Sequence, residues 1–135
     1  MDFSDKIKPG VEAQRADTVN KKNTAAAWGS GGLDVYATPS MIALMEGAAL
    51  SAVEPFLLPE YSTVGTELNV KHIAATPLGM KVYARAELLK IEGRALSFKV
   101  EAFDETGRIG EGTHNRFIVE IEKFLARTRG KGKIG

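Results

Sequence analysis

A chain of 135 residues is long enough to bury one core and too short for two ordinary domains, so a single domain with a single site is expected. Hydrophobic residues at 44%, charged residues at 26% and a net charge of +1 with interleaved signs fit a globular protein and leave no broad electrostatic footprint for nucleic acid. The absence of cysteine excludes disulfide scaffolds, thiol nucleophiles and Cys-ligated metals, and is compatible with a reducing compartment, by default the cytoplasm.

In chain order, Met1 to Gly10 mixes Asp2, Asp5, Lys6 and Lys8 with isolated apolar residues, which offers no apolar run for export and suggests a flexible end. Val11 to Val19 alternates poorly and is only a weak candidate strand. Asn20 to Gly32, with Trp28 and the cluster Gly29-Ser30-Gly31-Gly32, reads as a loop suited to a mobile lid.

Thr38-Pro39 is a helix start, because Thr caps free amides and Pro at the first helical position lacks the amide that would go unpaired. The helix runs from about Pro39 to Val53 and stops near Pro55. It is apolar on every face except at Glu46, so it has to be surrounded by protein. The run Met41 to Val53 is too short, and too interrupted by Glu46, to cross a bilayer.

From Thr63 onward the pattern changes to alternation. Val64, Thr66, Leu68, Val70 and His72 share one face of a first strand, which is expected to look at the helix. Met80, Val82, Ala84, Ala86 and Leu88 form the inner face of the next, and Leu96, Phe98, Val100 and Ala102 that of a third. A fourth runs from about Arg108 to Lys123, with Gly110 and Gly112 marking a bulge or a close backbone approach. Turns fall at Pro77-Leu78-Gly79, Glu92-Gly93-Arg94 and Asp104-Glu105-Thr106-Gly107. Residues 126–135, with Arg127, Arg129, Lys131 and Lys133 spaced by glycine, read as a frayed, solvated end rather than a phosphate-binding arm.

One buried helix followed by long antiparallel strands implies an α+β domain of the hotdog type, a long sheet wrapped around a central helix. Such a layer leaves strand edges and part of the helix exposed, which pairing into a homodimer would remedy.

Three residues carry the candidate chemistry. An ionised Glu46 in an apolar helix must be paired, shifted in pKa or open to a cleft, each of which suits a base or nucleophile. The neighbouring Gly47 costs about 1 kcal/mol relative to alanine within a helix and suggests the close approach of a ligand or backbone. His72 shares a strand face with Leu68 and Val70, where it is expected to meet Glu46 of its own chain or of a second subunit. Thr38 places a hydroxyl where the helix dipole favours a developing oxyanion, eight residues and about 12 Å of helix axis from Glu46. Each also has a structural reading: an ion-paired or edge glutamate, a satisfied core histidine, an ordinary helix cap. His114 has no evident companions for a metal site.

The sequence resembles the fluoroacetyl-CoA thioesterase family of hotdog proteins from about Trp28 to Phe124. The resemblance is densest in Ala37-Thr38-Pro39 with Leu44-Met45-Glu46, in Val64-Gly65-Thr66, in the stretch from His72 to Gly79, and in Gly112-Thr113-His114-Asn115-Arg116. It implies a catalytic Thr38, Glu46 and His72, the Gly65 amide near the thioester carbonyl and Arg116 lining the site. It further implies a homodimer with its sites near the subunit interface, no metal, and coenzyme A as part of the substrate rather than a cofactor. The fluoroacetyl-specific member carries bulky aromatics where Gly29 and Gly32 stand here, so a small or medium acyl-CoA is the expected substrate. A hotdog hydratase or dehydratase and a non-catalytic acyl-CoA binding module are the competing readings, and no membrane or nucleic-acid partner is expected.

Overall fold

Alternating apolar residues over long stretches build a single antiparallel sheet in the computed structural model, which describes residues 3–133. Its strands are β1 (Glu12–Thr18), β2 (Tyr61–His72), β3 (Lys81–Glu92), β4 (Ala95–Asp104) and β5 (Arg108–Glu120), in the spatial order β1-β3-β4-β5-β2. Helix α2 (Thr38–Val53) lies on the concave face against β1, β3 and β4, giving the helix-in-sheet layering expected of the hotdog architecture. The weak candidate strand is thus real, and it is an edge strand, paired from Glu12 to Thr18 along β3. Among the described residues no helix is long and apolar enough to cross a membrane.

The inner faces expected of β3 and β4 hold from Val82 onward, with Val82, Ala84, Ala86, Leu88, Leu96, Phe98, Val100 and Ala102 all buried, whereas Met80 lies just before β3 and is half-buried. On β2 the expectation fails for half the strand. Gly65 pairs with Arg116 and Glu67 with the adjacent Asn115, so Thr66 is the extra residue of a bulge. The bulge switches the phase: Thr63 and Gly65 face inward before it, Leu68, Val70 and His72 after it, while Val64 pairs with the exposed Phe117 on the outer face. A second bulge places Ile109 as the extra residue of β5, between the pairs Phe103 with Arg108 and Ala102 with Gly110. The close approach foreseen at Gly110 and Gly112 is also present. A Cβ on Gly112 would sit 2.1 Å from the Asn69 carbonyl, and one on Gly110 would sit 2.5 Å from Met41 Sδ.

Both chain ends differ from expectation. Phe3 and Ile7 are buried in the core, Phe3 edge-on to Tyr61 at 5.1 Å, so residues 3–10 are packed rather than loose; Met1 and Asp2 lie outside the described residues. Strand β5 stops at Glu120 and helix α3 (Ile121–Gly130) follows, its apolar Phe124 and Leu125 partly exposed; residues 134 and 135 lie outside the described residues. Within the expected loop, Thr24 caps a one-turn helix α1 (Ala25–Trp28), which Gly29 closes in the left-handed conformation.

Candidate active site

Thr38 is the first residue of α2, and Ala37, not Thr38, is the N-cap residue. The Thr38 hydroxyl is therefore not spent on its own helix. It lies 2.8 Å from Nδ1 of His72, the last residue of β2. The bulge in β5 holds that strand end in place, because the Ile109 carbonyl accepts from the amides of Ile73 at 2.7 Å and Ala74 at 3.3 Å. Burial pushes the His72 imidazole below the ordinary histidine value, an effect the Ala74 backbone partly offsets. Its Nε2 is enclosed, with no hydrogen-bond partner of normal geometry. The pair stands at the wall of a cavity of about 330 Å³ lined also by Ala25, Ser30, Val35 and Ala75.

Glu46 belongs to a second cluster, two turns further along α2. Its Oε2 is 3.8 Å from an Arg116 guanidinium nitrogen, and its side chain remains 39% exposed. Among the described residues no hydrogen bond or ion pair joins Glu46 to His72 or Thr38. The expected meeting of Glu46 with His72 is thus not made within one chain, because a helix advances about 1.5 Å per residue and carries Glu46 about 12 Å past Thr38. Gly65, on the inner face beside the β2 bulge, gives Glu46 its room: a Cβ there would lie 3.0 Å from Glu46 Oε2 and 3.2 Å from His114 Cε1.

Arg116 is buried, and a buried guanidinium without partners would cost several kcal/mol. It donates from Nε to Thr63 Oγ1 at 2.8 Å and from one terminal nitrogen to the Thr63 carbonyl at 2.9 Å. The other terminal nitrogen lies 3.1 Å from His114 Nε2. Sequence reasoning does not assign His114 to the site, yet it and Arg116 are two residues apart on one strand and so share a face, which is the signal that could have found it. Among the described residues no group of three or more His, Asp or Glu is placed to hold a metal ion.

The single chain therefore carries two separate clusters, Thr38 with His72 and Glu46 with Arg116, His114 and Gly65. The first is a hydroxyl beside an imidazole, the arrangement that activates a nucleophile. The second is a carboxylate and a fixed cation open to solvent on one side.

Comparison with known proteins bears on the family and the fold. Residues 19–122 match the family described as fluoroacetyl-CoA-specific thioesterase. The chain is 45% identical over 102 residues to the fluoroacetyl-CoA thioesterase of Streptantibioticus cattleyicolor, spanning 76% of this chain and 73% of that protein. A solved structure of the fluoroacetyl-CoA thioesterase FlK superposes with a TM-score of 0.86 at 37% identity, covering 93% of this chain and 97% of that one. A Thermus thermophilus protein described as a thioesterase superfamily member gives 0.85 at 29% identity, over 96% and 98% of the two chains. On sequence and on fold alike, the chain belongs to the fluoroacetyl-CoA-specific thioesterase family.

Proposed function

We propose that this protein hydrolyses a small or medium acyl-CoA thioester to the free acid and coenzyme A, acting as a homodimer in the cytoplasm. The observation that carries the reading is the Thr38 hydroxyl, free of any capping duty and 2.8 Å from the His72 imidazole at a cavity wall. With the His72 ring proton on Nε2, Nδ1 accepts from Thr38. Thr38 oxygen attacks the thioester carbonyl as its proton passes to Nδ1, and that proton leaves with the coenzyme A sulfur. Water then hydrolyses the acyl-threonine, His72 taking the water's proton and returning it to Thr38 Oγ1 as the free acid leaves. Coenzyme A is part of the substrate, and no separate cofactor enters this scheme.

In this reading Glu46 and Arg116 act on the thioester held by Thr38 and His72 of the other subunit, Arg116 and the Gly65 amide facing the carbonyl oxygen and Glu46 orienting water. The single chain supports it by what it leaves open. Leu68 faces the concave side yet is 37% exposed, and α2 packs chiefly against β1 and β3, leaving the part of β2 around Gly65 and Leu68 exposed. A second copy is the natural cover for an apolar surface of this kind.

The acyl group is read from the cavity walls. Tyr36 and Ile73 stand among the cavity walls with the small Ala25, Ser30, Val35 and Ala75, and the exposed stretch from Gly29 to Gly32 adds no side chain larger than serine beside them, so the space of about 330 Å³ has room for more than a two-carbon acyl group. Release of free thiol from acyl-CoA thioesters of graded length tests the function. Turnover that disappears in Thr38→Ala and His72→Ala is expected. Loss of enoyl-CoA absorbance without thiol, or tight binding with intact thioester, would replace this reading by a hydratase or a binding module.

A further inference from the structure

His114 makes two hydrogen bonds that together fix its protonation. Nδ1 lies 2.8 Å from the Glu67 backbone carbonyl, which only accepts, so Nδ1 carries the proton. Nε2 lies 3.1 Å from the Arg116 guanidinium, which only donates, so Nε2 presents its lone pair. Both bonds are satisfied by one species alone, the neutral Nδ1–H tautomer. The ring is 1% exposed, stands 6.3 Å from the Phe98 ring and is wedged beside the bare Cα of Gly65, so it has little freedom to flip.

We infer that His114 is a positioning residue: as the neutral Nδ1–H tautomer it anchors Arg116 and so sets where the guanidinium stands relative to Glu46. Thr63 grips Nε and one terminal nitrogen of Arg116, which fixes the plane of the group. His114 takes a proton of the remaining nitrogen, the same nitrogen that is 3.8 Å from Glu46. A protonated imidazole would point a donor at a donor and push the guanidinium away. The charged groups facing the ring are Arg116 and Glu46. Burial and Arg116 lower its pKa, while the Glu67 carbonyl and Glu46 raise it, and the net direction is down. The Glu67 carbonyl belongs to the β2 bulge, where the displaced backbone turns this acceptor toward the ring. This inference rests on the proposed roles of Glu46 and Arg116 in the site, and its test has an arm that does not need turnover.

The chain has only two histidines, so imidazole ¹⁵N spectra of the full protein, with His72→Ala for assignment, report His114 directly. A protonated Nδ1 and bare Nε2 that persist below the ordinary histidine value are expected; an Nε2–H tautomer, or protonation near pH 6.5 with no change in the Arg116 Nε–H signal, overturns the inference. Two variants then separate positioning from packing. Gln at position 114 places an amide oxygen near the Nε2 position and can still accept from Arg116, whereas Asn keeps only the donor toward Glu67. Both replacements remove the titratable ring, so the two variants differ only in whether the acceptor for Arg116 survives. H114Q is expected to stay within about threefold of the parent in kcat/KM and to preserve the Arg116 Nε–H signal, with H114N falling about 10–100-fold and losing it. Equal Arg116 signals in H114N and the parent would overturn the inference even if no thioester is turned over.

Discussion

Thr38 Oγ1 and His72 Nδ1 lie 2.8 Å apart, joining the start of α2 to the end of β2. Neither residue needs the other for structure: Thr38 does not cap the helix, and the β2 end is already pinned by Ile109. In the proposed reaction this contact is a nucleophile held against its base. Thr38→Ser is expected to keep most activity, while Thr38→Val, nearly the same in volume, loses about 10²–10⁴-fold in kcat with stability little changed. Steady-state thiol release and thermal melts of the two variants check this.

Burial holds both His72 and His114 below the ordinary histidine value of 6.5. The unfolded chain takes up protons first as pH falls, so the stability these groups contribute is complete above about 6.5 and drains away as pH drops through their folded values. Asp104 adds nothing in that window: desolvation raises its pKa, but bonds from Thr106, Thr76 and Gly107 outweigh it and hold it below 3.8, so its contribution is lost only at lower pH. Melting temperature followed by circular dichroism should be flat from about pH 8 to 6.5 and then fall, less steeply in His114→Gln. A rise on acidification would contradict the assignment.

Gly65 leaves room that the Glu46 carboxylate and the His114 ring both use. Of the three neighbours of an added Cβ, Arg116 is at ordinary contact distance and His114 is buried, so the flexible, partly exposed Glu46 is the one that moves. Gly65→Ala should therefore cost about tenfold or more in kcat/KM while lowering stability by about 1 kcal/mol or less. Urea unfolding alongside kinetics separates these, and equal losses in both would point to a purely structural glycine.

In the proposed enzyme the open stretch before Thr38 sets acyl preference. A Cβ at Gly32 meets nothing within 4 Å and its backbone is ordinary, whereas Gly29 sits at φ +70, so an aromatic is tested at position 32. Gly32→Phe is expected to shift the ratio of kcat/KM values toward the shortest acyl-CoA, leaving the Thr38 and His72 chemistry intact. An unchanged profile across chain lengths would remove this segment from specificity.

What is legible in the sequence follows from its periods. The inner faces of β3 and β4 read directly because their two-residue alternation is unbroken where the core packs, and Glu46 stands out because its helix is otherwise apolar. Half of strand β2 escapes the alternation because a bulge at Thr66 shifts the phase without any glycine or proline at that position. Helix α3 is hidden because Ile121-Glu122-Lys123 continues the β5 alternation, and the glycine-spaced basic tail masks the Phe124 and Leu125 pair. Thr38, Glu46 and His72 are each visible as candidates, but their grouping is not. That depends on which end of β2 lies over which turn of α2, a relation set by tertiary packing.

In the proposed enzyme each reacting centre draws Thr38 and His72 from one subunit and Glu46 from the other. Subunit mixing tests this most directly: Thr38→Ala and Glu46→Gln proteins, each inactive alone, are unfolded together, refolded as a mixture and assayed for thiol release from an acyl-CoA. Random pairing gives half the dimers one intact site of two, so recovery of about a quarter of parental activity is expected. A mixture as inactive as its components would contradict the shared site.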